Sequence, residues 1–176
     1  MADILIAGFG GQGVLVLGQM ITYSGMIENK AVSWFPSYGP EQRGGTCNCS
    51  VVVADEEIGS PLVTVPTAAI VMNAPSFDRF EPTVGEGGLL IYNSSLISKE
   101  SKRDDIRVIA VPANEIADEL GNARVANMVL LGTFMEATNL IKTESVEKAL
   151  KAVLSERHHD LIPLNMQALD RGRAYQ

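Results

Sequence analysis

A glycine-rich segment near the N-terminus restricts the fold more than any other part of this sequence. The apolar run Ile4 to Ala7 leads into Gly8-Phe9-Gly10-Gly11-Gln12-Gly13, and Val14 to Met26 follows with apolar residues at helical spacing. A strand, a glycine turn and a helix in this order are typical of the first unit of an open α/β sheet. Glycine lets a ligand approach the backbone, and the amides at a helix N-terminus attract anions. The segment therefore predicts a phosphate or anion site.

The glycines also match the spacing of the dinucleotide fingerprint, which requires an acidic residue about 20 positions later. That residue has to lie at the C-terminal end of the second strand, where it holds the ribose hydroxyls. By count it is Glu28, but Glu28 precedes the second predicted strand, which ends in Pro36-Ser37-Tyr38 without a carboxylate. A free-standing NAD(P)-binding dehydrogenase stays an alternative, although it lacks its ribose anchor.

Further apolar segments predict the rest of a sheet. Runs bounded by turn residues are typical of strands buried on both faces. The predicted strands after the first are Ala31 to Phe35, Thr46 to Val53, Ala68 to Met72, Leu89 to Tyr92 and Arg107 to Val111. Helices are predicted over Pro75 to Phe80, over Asn114 to Leu120 with Asn114 as its cap, and over Glu144 to Leu154 with Thr143 as its cap.

These elements predict one α/β domain over residues 1–176, with a Rossmann-like open sheet and helices on both faces. The sheet should be mostly parallel. The tight turn from Gly39 to Gly45 allows the second and third strands to be antiparallel, so a mixed sheet is also possible. The final residues 165–176 are predicted to be an extra helix or an arm that orders on assembly.

The segment Arg124 to Ala137 is apolar on nearly all sides. Such a helix is either central within the chain or faces a partner, and the pattern favours neither alternative. From this apolar helix around Val129 and the glycine-rich edge of the sheet, we expect the isolated chain to self-associate as a homodimer through that surface.

Composition excludes several classes of partner. The 14 Lys and Arg against 21 Asp and Glu give a net charge of −7, which argues against nucleic acid and anionic membranes. The sequence shows neither an apolar run long enough to span a membrane nor a signal peptide, so we expect a cytoplasmic protein. Cys47 and Cys49 are predicted to be buried core residues rather than half of a metal site, and His158 and His159 to lie at a solvated helix end.

A second turn, Ser37-Tyr38-Gly39-Pro40-Glu41-Gln42-Arg43-Gly44-Gly45, should lie beside the first at the carboxyl edge of the sheet. Arg43 offers a planar donor fork for phosphate or carboxylate, unless it pairs internally with Glu41 or Asp55. Asn73 and Asn93 follow two further strands at this edge, where they could contact a ligand or cap helices. The predicted pocket contains no catalytic pair and no metal set, so it binds without obvious catalysis.

Several segments of the sequence together resemble a known family. The segments that carry the resemblance are IAGFGGQGV, SYGPEQRGGT running into NCSVVV, DEEIGSP, GGLLIYNSSLI and NARVANMVLLG. Together they look like the gamma subunit of 2-oxoacid:ferredoxin oxidoreductases. The resemblance covers the chain from Ile4 to about Gly132, and the LNMQALDRG tail is also similar.

The resemblance implies a subunit of a complex that oxidatively decarboxylates a 2-oxoacid to an acyl-CoA and reduces ferredoxin. It implies alpha, beta and delta-type partners, with thiamine diphosphate and the iron–sulfur clusters bound in those partners only. It also implies that this chain contributes to the coenzyme A site and supplies no catalytic residue. The implied ligand-facing residues are Gly10, Gly11, Gln12, Gly13, Ser37, Tyr38, Gly39, Pro40, Arg43, Gly44 and Gly45. A purely structural interaction domain is the remaining alternative.

Overall fold

The computed structural model describes residues 1–38 and 45–176, with Tyr38 described by its main chain alone. Within these residues the chain forms a six-stranded sheet in the order β2-β3-β1-β4-β5-β6. The strands are β1 Ala2–Phe9, β2 Ala31–Tyr38, β3 Thr46–Ala54, β4 Ala68–Val71, β5 Leu89–Asn93 and β6 Arg107–Val111. Strand β3 runs antiparallel to β1 and β2, while β1, β4, β5 and β6 pair in parallel. The prediction of a mostly parallel, mixed open sheet is confirmed.

Six α-helices lie in the described residues and cover the sheet unequally. They are α1 Val14–Ile27, α2 Ala74–Phe80, α3 Ala113–Glu119, α4 Ala126–Thr138, α5 Thr143–Val153 and α6 Ile162–Gly172. One core contains side chains of α1, α3, α4, α5 and α6 on one face of the sheet, whereas α2 contributes Phe77 to a smaller core on the other face. Helices therefore lie on both faces, as predicted.

Helix α1 follows β1 and packs on one face of the sheet, whereas α2 follows β4 and packs on the other. The strands β1 and β4 therefore flank the point where the winding of the sheet reverses. In open α/β sheets, ligands bind in the crevice outside the carboxyl ends of the strands at this point.

The apolar helix α4 lies inside the chain. Every residue from Asn127 to Met135 is buried, and α4 contacts α6, α3, α1 and β5. The alternative of a central helix is therefore the one the structure adopts. The surface proposed for self-association through this helix is covered by the chain's own elements.

The crossing of α4 and α6 is a backbone-to-backbone contact. A Cβ placed on Gly132 of α4 would lie 1.9 Å from the carbonyl oxygen of Leu169, and one on Gly172 of α6 would lie 1.8 Å from that of Val129. The Thr133 hydroxyl adds a hydrogen bond to the Gly172 carbonyl at 2.8 Å. Much of the segment 165–176 thus lies in a helix that packs on the central helix.

Two predicted helix caps are wrong. Pro112 occupies the N-cap of α3, and Asn114 lies inside the helix, where its Oδ1 accepts a hydrogen bond from Asn93 Nδ2 at 2.7 Å. Helix α5 begins at Thr143, after an N-cap at Lys142 that makes no side-chain cap bond. The chain enters α3 two residues earlier and α5 one residue earlier than the predicted caps suggested.

The cysteines and histidines lie largely as predicted. Cys47 and Cys49 are buried free thiols under α1, and burial raises the pKa of Cys49 to about 12. His158 is exposed in a 3₁₀ turn after α5. His159 is half-buried, and its Nε2 lies 3.0 Å from the carbonyl oxygen of Leu154. None of the helices described is both long and apolar enough to cross a bilayer.

Candidate functional site

The first glycine turn connects β1 to α1 at the carboxyl edge of the sheet. Gly13 is the N-cap of α1 and has a left-handed backbone, with φ of 81° and ψ of 19°. Because an L side chain rarely adopts this conformation, the position favours glycine. Within the described residues, the Gly11 and Gly13 amides donate to no protein acceptor. They are available to an anion, as are the amides of the first helical turn.

Gln12 holds this turn in place. Its Oε1 accepts hydrogen bonds from the Phe9 amide at 2.7 Å and from Asn73 Nδ2 at 3.3 Å. Its Nε2 donates to the Met72 carbonyl at 3.3 Å. The Gln12 side chain thus ties the end of β1 to the end of β4 and fixes the shape of the turn.

Asn127 of α4 packs against the same turn. Its Nδ2 lies 3.4 Å from the Gly13 carbonyl, and a Cβ on Gly13 would come within 2.5 Å of that nitrogen. Gly13 therefore serves two purposes, a left-handed backbone and a close approach to the second helix of the site.

The second turn begins and ends at the same edge. The Gly45 carbonyl accepts a hydrogen bond from the Gly10 amide at 3.1 Å, which places the end of the second turn directly beside the first. Ser37 is exposed and lies on the sheet face opposite Trp34, away from the core that contains α1 and α4. Of the other predicted residues, the Tyr38 side chain and Gly39, Pro40, Arg43 and Gly44 lie outside the described residues.

Two carboxylates considered in the sequence, Glu28 and Asp55, have partners of their own away from the first turn. Glu28 follows α1 at the amino edge of the sheet, where its Oε1 accepts a hydrogen bond from the Lys142 amide at 2.6 Å. It is therefore far from the ribose position of a dinucleotide site. Asp55, considered as an internal partner of Arg43, pairs with Lys30 at 3.4 Å.

The two asparagines after the central strands act as internal caps. Asn73 is 4% exposed and its Oδ1 accepts from the Ser76 amide at 2.9 Å, which caps α2. Asn93 is 2% exposed and its Oδ1 accepts from the Ser95 and Ala113 amides, each at 3.2 Å. The capping interpretation therefore accounts for their carboxamide oxygens, while Asn93 also borders the cleft described next.

A cleft of about 220 Å³ opens where the first turn, the strand ends and the start of α4 meet. It is lined by Gly11, Gln12, Met72, Asn93, Asn114, Ala123, Arg124, Ala126, Asn127 and Leu130. The lining joins residues after β1 and β4, so the cleft lies at the reversal point of the sheet.

The electrostatics of this cleft favour an anion. The 14-residue helix α1 and the 13-residue helix α4 both begin beside it, and neither has an acidic residue in its first turn. A helix N-terminus carries about half a positive charge. None of the described lining residues carries a carboxylate, although the chain as a whole has a net charge of −7. Arg124 adds a full positive charge at the rim.

Three polar or charged residues of the lining were missed as candidate site residues. Asn114, Arg124 and Asn127 come from segments read as helices, so only the direction of each helix relative to the sheet brings them together. The polar Asn127 at the start of an otherwise apolar helix is a signal in the sequence that could have identified this residue.

The fold and the cleft define an open α/β domain with a crevice at its carboxyl edge. Residues 3–175 match the family model described as pyruvate ferredoxin/flavodoxin oxidoreductase, and the chain belongs to this family.

Similar proteins agree with this assignment. The chain is 41% identical over 170 residues to the ketoisovalerate oxidoreductase subunit VorA of Methanothermobacter marburgensis; the match covers 96% of this chain but only 35% of VorA. It is 27% identical to the keto/oxoacid ferredoxin oxidoreductase gamma subunit of Geobacter sulfurreducens PCA, with a TM-score of 0.81 over 98% of this chain and 96% of that one. The resemblance to gamma subunits is confirmed.

A second structure shares the fold at lower identity. It is the 2-oxoglutarate:ferredoxin oxidoreductase of Magnetococcus marinus with 2-oxoglutarate, coenzyme A and succinyl-CoA bound. That chain is 21% identical with a TM-score of 0.89, and the match covers 99% of this chain and 31% of that one.

Proposed function

We propose that this chain is the gamma-type subunit of a 2-oxoacid:ferredoxin oxidoreductase and contributes to its coenzyme A site. The complex would convert a 2-oxoacid to its acyl-CoA and carbon dioxide and transfer two electrons to ferredoxin. Membership of the oxidoreductase family and the named relatives support the complex. The cleft beside the glycine turn, whose described lining residues carry no carboxylate, supports the ligand.

The chemistry of coenzyme A fits this cleft. Its diphosphate needs main-chain donors and positive potential, which the Gly11 and Gly13 amides and the starts of α1 and α4 supply. Its pantetheine arm carries amides, which pair with carboxamide side chains such as those of Asn114 and Asn127. This chain would bind and orient the carrier so that its thiol reaches a reacting group held by another subunit.

The proposal assigns the redox chemistry to partner subunits. Alpha, beta and delta-type chains would bind thiamine diphosphate and the iron–sulfur clusters, and ferredoxin would contact this chain only indirectly. Relatives are named for ketoisovalerate, for 2-oxoglutarate, and for pyruvate together with ketoisovalerate, so the proposal extends to the class of 2-oxoacids and not to one member. A cytoplasmic location stays part of the proposal.

The decisive test compares the complete complex with one that lacks this chain. The complete complex should reduce ferredoxin in a coenzyme A-dependent way, while the isolated chain should turn over nothing. Full coenzyme A-dependent activity without this chain would refute the proposal.

A variant locates the site within the chain. Asn114→Asp keeps an oxygen for the bond from Asn93 Nδ2 but brings a negative charge to the cleft. We expect the KM for coenzyme A to rise about tenfold, because charge repulsion of about 1.4 kcal/mol changes an equilibrium by this factor, and the KM for the oxoacid to stay constant. Gln167→Glu adds the same charge on the exposed face of α6 and should leave both values unchanged.

The same measurements separate the alternatives. An unchanged KM for coenzyme A in Asn114→Asp and in Arg43→Ala, with assembly intact, would favour a structural interaction domain. Micromolar binding of NAD to the purified chain would instead revive the dehydrogenase alternative.

A further inference from the structure

We propose that the Arg124 guanidinium binds a phosphate group of the coenzyme A carrier and thereby makes the site selective for an organic phosphate. This inference rests on the proposed coenzyme A site and assigns the role of a residue at its rim. The ligand class is an organic phosphate, recognised by a guanidinium together with main-chain amides.

The first observation is that the structure fixes where Arg124 stands. The residue lies in a 3₁₀ turn, Ala123–Val125, that leads into α4. The Asn122 side chain accepts a hydrogen bond from the Arg124 amide at 3.0 Å, and Val125 is 3% exposed and anchors the turn in the core. The backbone is therefore held while the side chain is exposed at the cleft.

The second observation concerns the pairing of arginines. Arg103, Arg171 and Arg173 each form an ion pair with a carboxylate. Within residues 1–38 and 45–176, the Arg124 guanidinium makes neither an ion pair nor a hydrogen bond. Arg79, Arg107 and Arg157 likewise form no ion pair with described residues, but of these arginines Arg124 is the one that lines the cleft. Its planar donor fork matches two oxygens of a phosphate.

The third observation is the convergence of donors around one small space. The Gly11 amide lies on one side of the cleft, the start of α4 at Ala126 on another, and Arg124 at the rim. A phosphate has oxygens in several directions and can accept from all three sources at once. A carboxylate has only two oxygens, so the arrangement favours phosphate over the oxoacid substrate.

Coenzyme A offers two such groups, the diphosphate and the 3′-phosphate of its ribose. Both have the chemistry that Arg124 recognises, and 3′-dephospho-coenzyme A distinguishes them because it lacks only the second. If Arg124 binds the 3′-phosphate, its replacement should harm coenzyme A far more than the dephospho form. If it binds the diphosphate, both carriers should be affected equally.

The test measures KM for the two carriers and for the oxoacid in the assembled complex with Arg124→Gln and Arg124→Lys. Loss of a charge-assisted hydrogen-bond pair should raise the KM for coenzyme A about 10- to 100-fold in Arg124→Gln. Lysine restores the charge without the fork, so Arg124→Lys should recover only part of the affinity. The effect should shrink as salt is added, because the guanidinium is exposed.

Arg107→Gln is the matched control, since Arg107 is exposed and begins β6 at the opposite edge of the sheet. It removes the same charge and should leave all three KM values unchanged. A KM for coenzyme A within twofold of the unchanged complex in Arg124→Gln, or a rise in the oxoacid KM instead, would overturn the inference. If Asn114→Asp still raises the coenzyme A KM, the proposed function survives that failure. If neither this variant nor Arg43→Ala raises it, the proposed coenzyme A role falls as well.

Discussion

Two regions of this molecule depend on glycine for opposite reasons. At the cleft, Gly11 and Gly13 both have a positive φ, and Gly11 faces open space, so glycine here shapes a turn whose Gly11 side stays open to a ligand. At the crossing of α4 and α6, Gly132 and Gly172 let two helices touch through their backbones. Glycine keeps the turn at the cleft accessible, whereas at the helix crossing it allows two backbones to pack in direct contact.

The difference predicts how each region responds to an added methyl group. At Gly13 the nearest atoms belong to the Asn127 side chain, which another substitution can remove. At Gly132 they belong to the Leu169 main chain, which no substitution can trim. Damage to the cleft should therefore be repairable, and damage to the crossing should not.

The largest effect is expected for Gly132→Ala. In a helix this change normally stabilises by about 0.5–1 kcal/mol. Here the Cβ would meet a carbonyl oxygen at 1.9 Å, so we expect destabilisation of about 3 kcal/mol or more, at the upper end of overpacking. Denaturant unfolding followed by circular dichroism measures it.

Gly59→Ala is the control for this change, because a Cβ there would meet nothing within 4 Å. Its free energy of unfolding should stay within about 0.5 kcal/mol of the unchanged protein. A Gly132→Ala protein as stable as this control would contradict the close crossing.

The next effect is expected for Gly13→Ala. The left-handed backbone should cost about 1–2 kcal/mol, and the contact with Asn127 should add to it. Asn127→Ala in the same chain should recover the second part alone, so the two substitutions should be non-additive. Strict additivity in a double-mutant cycle would show that the turn and α4 do not touch.

The smallest expected effect is the contribution of the protonated Cys49 thiol to the free energy of unfolding. Cys49 lies under the first turn of α1, with its Sγ 3.7 Å from the Val14 carbonyl. Burial raises its pKa from 9.0 to about 12, so the folded state keeps the thiol protonated more tightly than the unfolded state. Its contribution to stability is present below about pH 9 and is lost as the pH rises towards 12.

We therefore expect the free energy of unfolding to fall above pH 9, with a smaller fall in Cys49→Ala. At pH 8, a thiol reagent should label Cys49 only at the rate of unfolding. Rapid labelling of Cys49 in the folded chain at pH 8 would show that α1 does not seal this face of the sheet.

The sheet was predictable because its strands are local apolar runs with turn residues at both ends. All six predicted strands exist, and their ends shift by at most three residues. The helix caps were less predictable, because several polar residues near a helix start can each serve as the cap. Asn114 and Thr143 had suitable side chains, but the observed caps lie two residues earlier in α3 and one residue earlier in α5.

The cleft was only half predictable. The β1 to α1 turn carries a local motif, and its place beside Gly45 followed from the direction of the strands. Arg124 and Asn127 lie more than 100 positions further along the chain, and only the packing of α4 brings them to the turn. No local pattern encodes that packing, since an apolar helix looks the same in any orientation.

The reversed strand β3 has a consequence for how the ligand-binding edge can vary. Because β2 ends and antiparallel β3 begins at the carboxyl edge, the chain leaves this edge after Tyr38 and is back at it by Gly45. In a flexible connection, doubling the number of residues adds only about 0.6 kcal/mol to loop closure. Related chains could therefore lengthen or rewrite this rim to suit different acyl carriers while the sheet beneath it stays the same.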